Sequence, residues 1–134
     1  LANTLLSEAD VLVLDEPTAG LDPRGQKEMM DLFYALHDSQ NLTTILVTHS
    51  MEDAARYADR IAIMHEGKCV LTGEPGMIFS DKETLAQYRL QPPRVVQLQR
   101  RIEQMIGSEL PNVCLTEEQL AKAVAQVLRK ERDV

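Results

Sequence analysis

The sequence predicts an α/β protein: a parallel sheet with flanking helices, followed by a small helical C-terminal extension. Three observations carry that prediction. Val11–Leu14 is a continuous apolar run of the kind that forms a strand buried on both faces of a parallel sheet, and Thr43–Ser50, β-branched and apolar, reads as a second strand. The segment between them opens on Asp22-Pro23 and carries apolar residues at helical spacing. Strand, helix and strand in that order make a βαβ unit, whose two strands run parallel and end on the same sheet edge.

Val11–Leu14 is the first strand. It stops at Asp15 and Glu16, and a turn-rich stretch leads from there to Asp22. Asp22 is a suitable N-cap and Pro23 a suitable first helical residue, because proline has no N–H to leave unsatisfied. The helix should bury Met29, Leu32, Phe33 and Leu36. After the second strand, Ser50 caps a short helix from Met51 to about Tyr57. The run from Arg60 to Gly73 reads as two strands around a Glu66-Gly67 turn. Ser80 and Glu83 have capping-box spacing before another short helix, and Gln91-Pro92-Pro93 breaks the chain. Beyond the break, Val95, Leu98, Ile102 and Met105 form a helical stripe ended by Gly107. Thr116 and Gln119 then cap a last amphipathic helix bearing Leu120, Val124, Val127 and Leu128. The expected organisation is residues 1–90 as one α/β part and 91–134 as a helical extension. Leu1, Leu5 and Leu6 read as the end of a helix that starts earlier, so the chain is expected to be a fragment.

Composition narrows the function classes. With 134 residues, 44% hydrophobic and 26% charged, the chain can bury a core. A formal charge of −7 and scattered Lys and Arg argue against nucleic acid as a partner, since phosphate backbones are held by clustered basic residues. Cys69 and Cys114 lack metal-ligand spacing and read as reduced structural residues. The six methionines read as packing residues, and His37, near a helix end, as a surface residue favoured there by the helix dipole. His65 sits beside a turn with no metal partner. No apolar run reaches the ~20 residues of a membrane span, and the first residues lack a signal-peptide pattern.

The chemistry lies at the sheet edge. Asp15 and Glu16 at one strand end cannot both be buried unpaired, because desolvating a carboxylate costs several kcal/mol and its neighbour adds repulsion. Mg²⁺ with its waters and nucleotide phosphates would supply the missing positive charge. Parallel strands put His49 on the same edge, where ligands bind in open α/β sheets.

In order and spacing, "VLVLDEP", "TAGLD" and "ILVTHS" resemble the Walker B strand, D-loop and switch-histidine strand of ATP-binding-cassette (ABC) transporter ATPase subunits. The resemblance implies the C-terminal part of a P-loop NTPase (RecA-like) sheet. It implies that Asp15 holds Mg²⁺ through water and that Glu16 is the general base for the water attacking ATP. It implies that Asp22 communicates across an ATPase dimer and that His49 contacts the γ-phosphate. The stretch from Gly67 to Ile102 is similar to the corresponding region of energy-coupling-factor (ECF) ATPases of the cobalt and vitamin importer group. The implied partners are a second ATPase subunit and transmembrane transporter subunits, at the cytoplasmic face of the membrane.

No GxxxxGK[ST] occurs in the 134 residues, so no lysine-bearing phosphate loop accompanies these motifs. The family pattern would also put the phosphate-loop strand between the strand at Thr43 and that at Arg60. The chain alone is therefore expected to be inactive and marginal, rearranged or paired with another copy. Two other readings stay open: a non-catalytic dimerisation or regulatory module, and part of a DNA-repair-type ABC ATPase.

Overall fold

The computed structural model describes residues 11–132. The helix expected at Leu1, Leu5 and Leu6 lies outside them. In order, the elements are β1 (Val11–Asp15), α1 (Pro23–Gln40), β2 (Thr43–Val47), α2 (Met51–Tyr57), β3 (Ile61–His65), β4 (Lys68–Gly73), α3 (Pro75–Ser80), α4 (Lys82–Gln87), α5 (Arg94–Ile106) and α6 (Glu117–Arg132). They form two compact units, one reaching to Asp53 and the other starting at Ala54 within α2.

In the first unit β1 and β2 pair in parallel, with Val11 opposite Thr43 and Asp15 opposite Val47. The pairing runs one step past the strand, since Glu16 N–H donates to Val47 O at 2.7 Å. The parallel arrangement inferred from the βαβ spacing is present. The burial on both faces expected of β1 is not: Leu12 and Leu14 are buried, whereas Val11 and Val13, like Ile45 and Val47 on β2, are each about half exposed. Nothing among the described residues covers that second face, so the alternation is that of a one-sided sheet.

Helix α1 begins as its sequence requires. Asp22 Oδ1 accepts from Gly25 N–H at 2.7 Å and Pro23 follows. The helix ends at Asn41, whose φ of 51° is the left-handed conformation that releases the chain into β2. Its buried stripe is Met30 and Phe33, and Leu32 is half exposed, one row away from the expected stripe. His37 accounts for the difference. Its Nδ1 lies 3.0 Å from Thr44 Oγ1, so a polar pair between α1 and β2 sets the helix's rotation, which apolar spacing cannot reveal. His37 is thus a half-buried bridging residue, not the surface residue expected. Asp22→Ala is expected to cost about 1 kcal/mol of stability by urea unfolding, and Asp22→Asn much less, because asparagine also caps.

The second unit opens with the hairpin expected around Glu66-Gly67. β3 and β4 are antiparallel, with His65 opposite Lys68 and a bulge between Ile63 and Met64. Glu66 at φ 49° and Gly67 at φ 74° give the two left-handed residues that a tight two-residue hairpin turn needs. One expectation fails just afterwards: the cap of α4 is Asp81, not Ser80, and the chain before it, Pro75–Ser80, forms a helix that had not been singled out. The Asp81 carboxylate accepts from both the backbone and the hydroxyl of Thr84, and these bonds hold it below the usual carboxylate range. Ser80 instead ends α3, its hydroxyl donating to Met77 O.

The core of this unit gathers Phe79, Ile78, Leu85, Val96 and Leu120. Arg100 reaches back to donate to Phe79 O at 3.0 Å. Helix α5 follows the Pro92-Pro93 break and ends at Gly107, φ 69°, as expected. Its buried row is Val95, Val96 and Gln99, whereas Leu98 is half exposed and Met105 is 85% exposed. Gln99 decides this: its amide donates to Asn112 O and accepts from Cys114 N–H, binding the loop before α6 to the helix. Burying that satisfied amide rotates Leu98 outward. Thr116 caps α6 by accepting from Gln119 N–H, while the Gln119 side chain accepts from Leu115 N–H, one residue upstream of a capping box. Met64, Met77 and Met105 are exposed, so packing explains only some of the methionines. Cys114 is buried and its thiol is pushed upward by burial, then by Glu103; Cys69 is exposed, not a core residue. Among the described residues no helix is long and apolar enough to cross a membrane.

Candidate functional site at the parallel strand ends

Glu16 follows β1 and His49 follows β2, and the equal register of the two strands brings both to one end of the sheet. His49 Nε2 lies 2.7 Å from Glu16 Oε1. His49 is 95% exposed and the Glu16 side chain 40% exposed. An ion pair or hydrogen bond that open to water is worth about 0–1 kcal/mol, so it orients more than it stabilises.

Glu16 reaches this position with φ of 44°, the left-handed region where a non-glycine residue costs roughly 1–2 kcal/mol. The exposed His49 contact does not offset that by itself. One feature that helps hold the conformation is the bond from Glu16 N–H to Val47 O. Local strain is thus held at the one residue whose carboxylate meets the histidine.

Asp15, the last residue of β1, points to the open face and is exposed. Its carboxylate has no hydrogen-bond or ion-pair partner among the described residues. The chain then turns twice, Ala19 N–H donating to Glu16 O and Leu21 N–H to Thr18 O, with Gly20 at φ 82°. Thr18 is buried inside these turns. Asp22 closes the segment, but its side chain is engaged by Gly25 at the head of α1. Of the four residues singled out in the sequence, Glu16 and His49 touch, Asp15 precedes Glu16 in the chain, and Asp22 serves the helix.

The donor set fits Mg²⁺ better than a metal held entirely by protein. Among the described residues there is no group of three or more His, Cys, Asp or Glu that could form a cage. Mg²⁺ commonly uses one or two carboxylates and keeps water and phosphate oxygens as its other ligands, and Asp15 offers such a carboxylate. A solvent-accessible Glu16 with one oxygen held by an imidazole can accept a proton from a nearby water.

One residue of this site was not singled out in the sequence. Thr48 Oγ1 accepts from Ser50 N–H at 2.9 Å, closing a turn with His49 at its centre. Ser50 Oγ then accepts from Asp53 N–H and starts α2. The Thr-x-Ser spacing was a usable signal, since a threonine hydroxyl commonly bonds the N–H two residues on.

The fold of the chain is similar to that of ABC ATPase domains. The fold is a partial one of that class: the solved structure of cbiO1 from Clostridium perfringens, "Part of the ABC transporter complex cbiONQ", superposes with a TM-score of 0.53. It is 35% identical and the match covers 75% of this chain and 37% of that one. The chain is homologous to the C-terminal half of energy-coupling factor transporter ATP-binding proteins. It is 54% identical over 130 residues to EcfA2 of Geobacillus kaustophilus, covering 97% of this chain and 45% of that protein. With EcfA2 of Bacillus licheniformis it is 50% identical over 131 residues, covering 98% and 45%. The chain thus spans a little under half the length of these relatives. A family model described as "AAA domain, putative AbiEii toxin, Type IV TA system" matches residues 1–52, which include Asp15, Glu16 and His49.

Proposed function

We propose that this chain is the C-terminal part of the ATP-binding subunit of an ABC-type importer of the ECF group, carrying cobalt or a vitamin. The supporting observation is the 2.7 Å contact of Glu16 with His49 at the common end of two parallel strands, in a chain homologous to such subunits. In this reading ATP and Mg²⁺ supply the phosphoryl group and the charge that neutralises it, with Asp15 holding Mg²⁺ through water. Glu16 takes the proton of the attacking water, and His49 fixes the Glu16 carboxylate and faces the γ-phosphate. Asp22 faces a second ATPase subunit. Residues 1–90 belong to the ATPase domain and 91–134 form its helical C-terminal extension. The whole subunit sits peripherally on the cytoplasmic face of the membrane beneath transmembrane partners.

ATP hydrolysis, measured as phosphate release, tests this. The complete subunit, with its phosphate loop, is expected to turn over ATP only with Mg²⁺, and the pure 134-residue chain is expected to show no turnover. An inactive complete subunit would remove the ATPase reading. Mg²⁺-dependent turnover by the chain alone would remove the claim that it is only half of the site.

A further inference from the structure

We infer that Thr48 is a positioning residue for His49. The inference deepens the reading of Glu16 and His49 as hydrolytic groups and rests on it.

An imidazole that is 95% exposed has no packing to hold it at 2.7 Å from Glu16, so its aim must come from the backbone that carries it. That backbone is fixed on both sides. Before His49, Val47 O accepts from Glu16 N–H at 2.7 Å, which joins the main chain of the carboxylate-bearing residue to the end of β2. After His49, Ser50 N–H is bound by Thr48 Oγ1 at 2.9 Å, and Ser50 Oγ in turn caps α2 through Asp53 N–H at 3.2 Å. His49 is the middle residue of the turn that the Thr48 hydroxyl closes.

β2 ends at Val47, so the sheet ladder does not set the direction of residues 48–50. Without the hydroxyl, Ser50 N–H loses its partner and the turn can relax, swinging the imidazole on its Cα–Cβ bond. A displacement of about 1 Å can cost up to roughly a hundredfold in rate when a group acts by position. Valine matches threonine in shape and lacks the acceptor oxygen. Serine keeps that oxygen.

The test is steady-state ATP hydrolysis by the complete subunit carrying Thr48→Val, Thr48→Ser, His49→Ala and the double variant Thr48→Val/His49→Ala. Thr48→Val is expected to lower kcat about tenfold to a hundredfold with KM for ATP unchanged, and Thr48→Ser to keep most of kcat. In the His49→Ala background Thr48→Val should add little, because the aim of a missing imidazole cannot be lost. Each of three results would overturn the inference: full kcat in Thr48→Val, a raised KM with kcat intact, or the same further loss in the His49→Ala background, which marks general damage to the fold. If His49→Ala itself leaves kcat unchanged, it is the reading of the site that fails, a result distinguishable from failure of the Thr48 inference alone.

Discussion

Glu16→Gln in the complete subunit is expected to bind ATP normally and to lose roughly 10²–10⁴-fold in hydrolysis, the range for a general base in proton transfer. The substitution is nearly isosteric. The amide can still accept from His49 Nε2, as the carboxylate oxygen does at 2.7 Å, and the left-handed backbone at φ 44° is as accessible to glutamine as to glutamate. What changes is basicity: an amide does not take a proton from water near neutral pH. The loss should therefore fall on kcat, with ATP affinity by equilibrium binding unaltered, the pattern of an interaction used only in the transition state. A variant that hydrolyses at the unsubstituted rate would move the base elsewhere, and Asp15, exposed and without a partner among the described residues, would be the next carboxylate to test.

The second large effect concerns folding. Phe79 is fully buried in the second unit, and its carbonyl receives Arg100 Nη2 at 3.0 Å. Phe79→Ala removes most of a buried ring and leaves a cavity, costing about 3–5 kcal/mol. Set against a total stability of roughly 5–15 kcal/mol for a small domain, that is a large fraction. The urea midpoint should fall sharply at little-changed slope. The internal control is Leu98→Ala on α5. Leu98 belongs to the stripe that apolar spacing selects, yet it is 50% exposed, so its truncation should cost much less than that of Phe79. Comparable losses at the two positions would mean that α5 is turned toward its Leu98 row.

The stripe on α5 shows what limits a reading of sequence. Apolar spacing identifies a helix and its approximate inner side, but two rows one residue apart often fit equally well. Here the choice falls to Gln99, whose amide binds the backbone of Asn112 and Cys114. On α1 it falls to His37, held to Thr44 across to the next strand. In both cases a polar side chain finds a partner far enough along the chain that no local pattern announces it. The cap of α4 failed differently. Ser80 and Asp81 both precede the helix, and the aspartate won because it accepts twice from Thr84.

The sequence by itself determined the elements that local chemistry dictates: the strand that ends at Asp15 just before Glu16, the Asp22-Pro23 helix start, the Glu66-Gly67 hairpin, the Pro92-Pro93 break and the Gly107 stop. It also determined that β1 and β2 run parallel, because a helical crossover between adjacent strands leaves that arrangement alone. Only the tertiary structure decided that Glu16 adopts a left-handed backbone, that its carboxylate meets His49, that Thr48 closes the turn around the imidazole, and that one face of the β1–β2 sheet is open. Those outcomes depend on hydrogen bonds and covering surfaces between residues distant in sequence, whose energies a single run of amino acids does not contain.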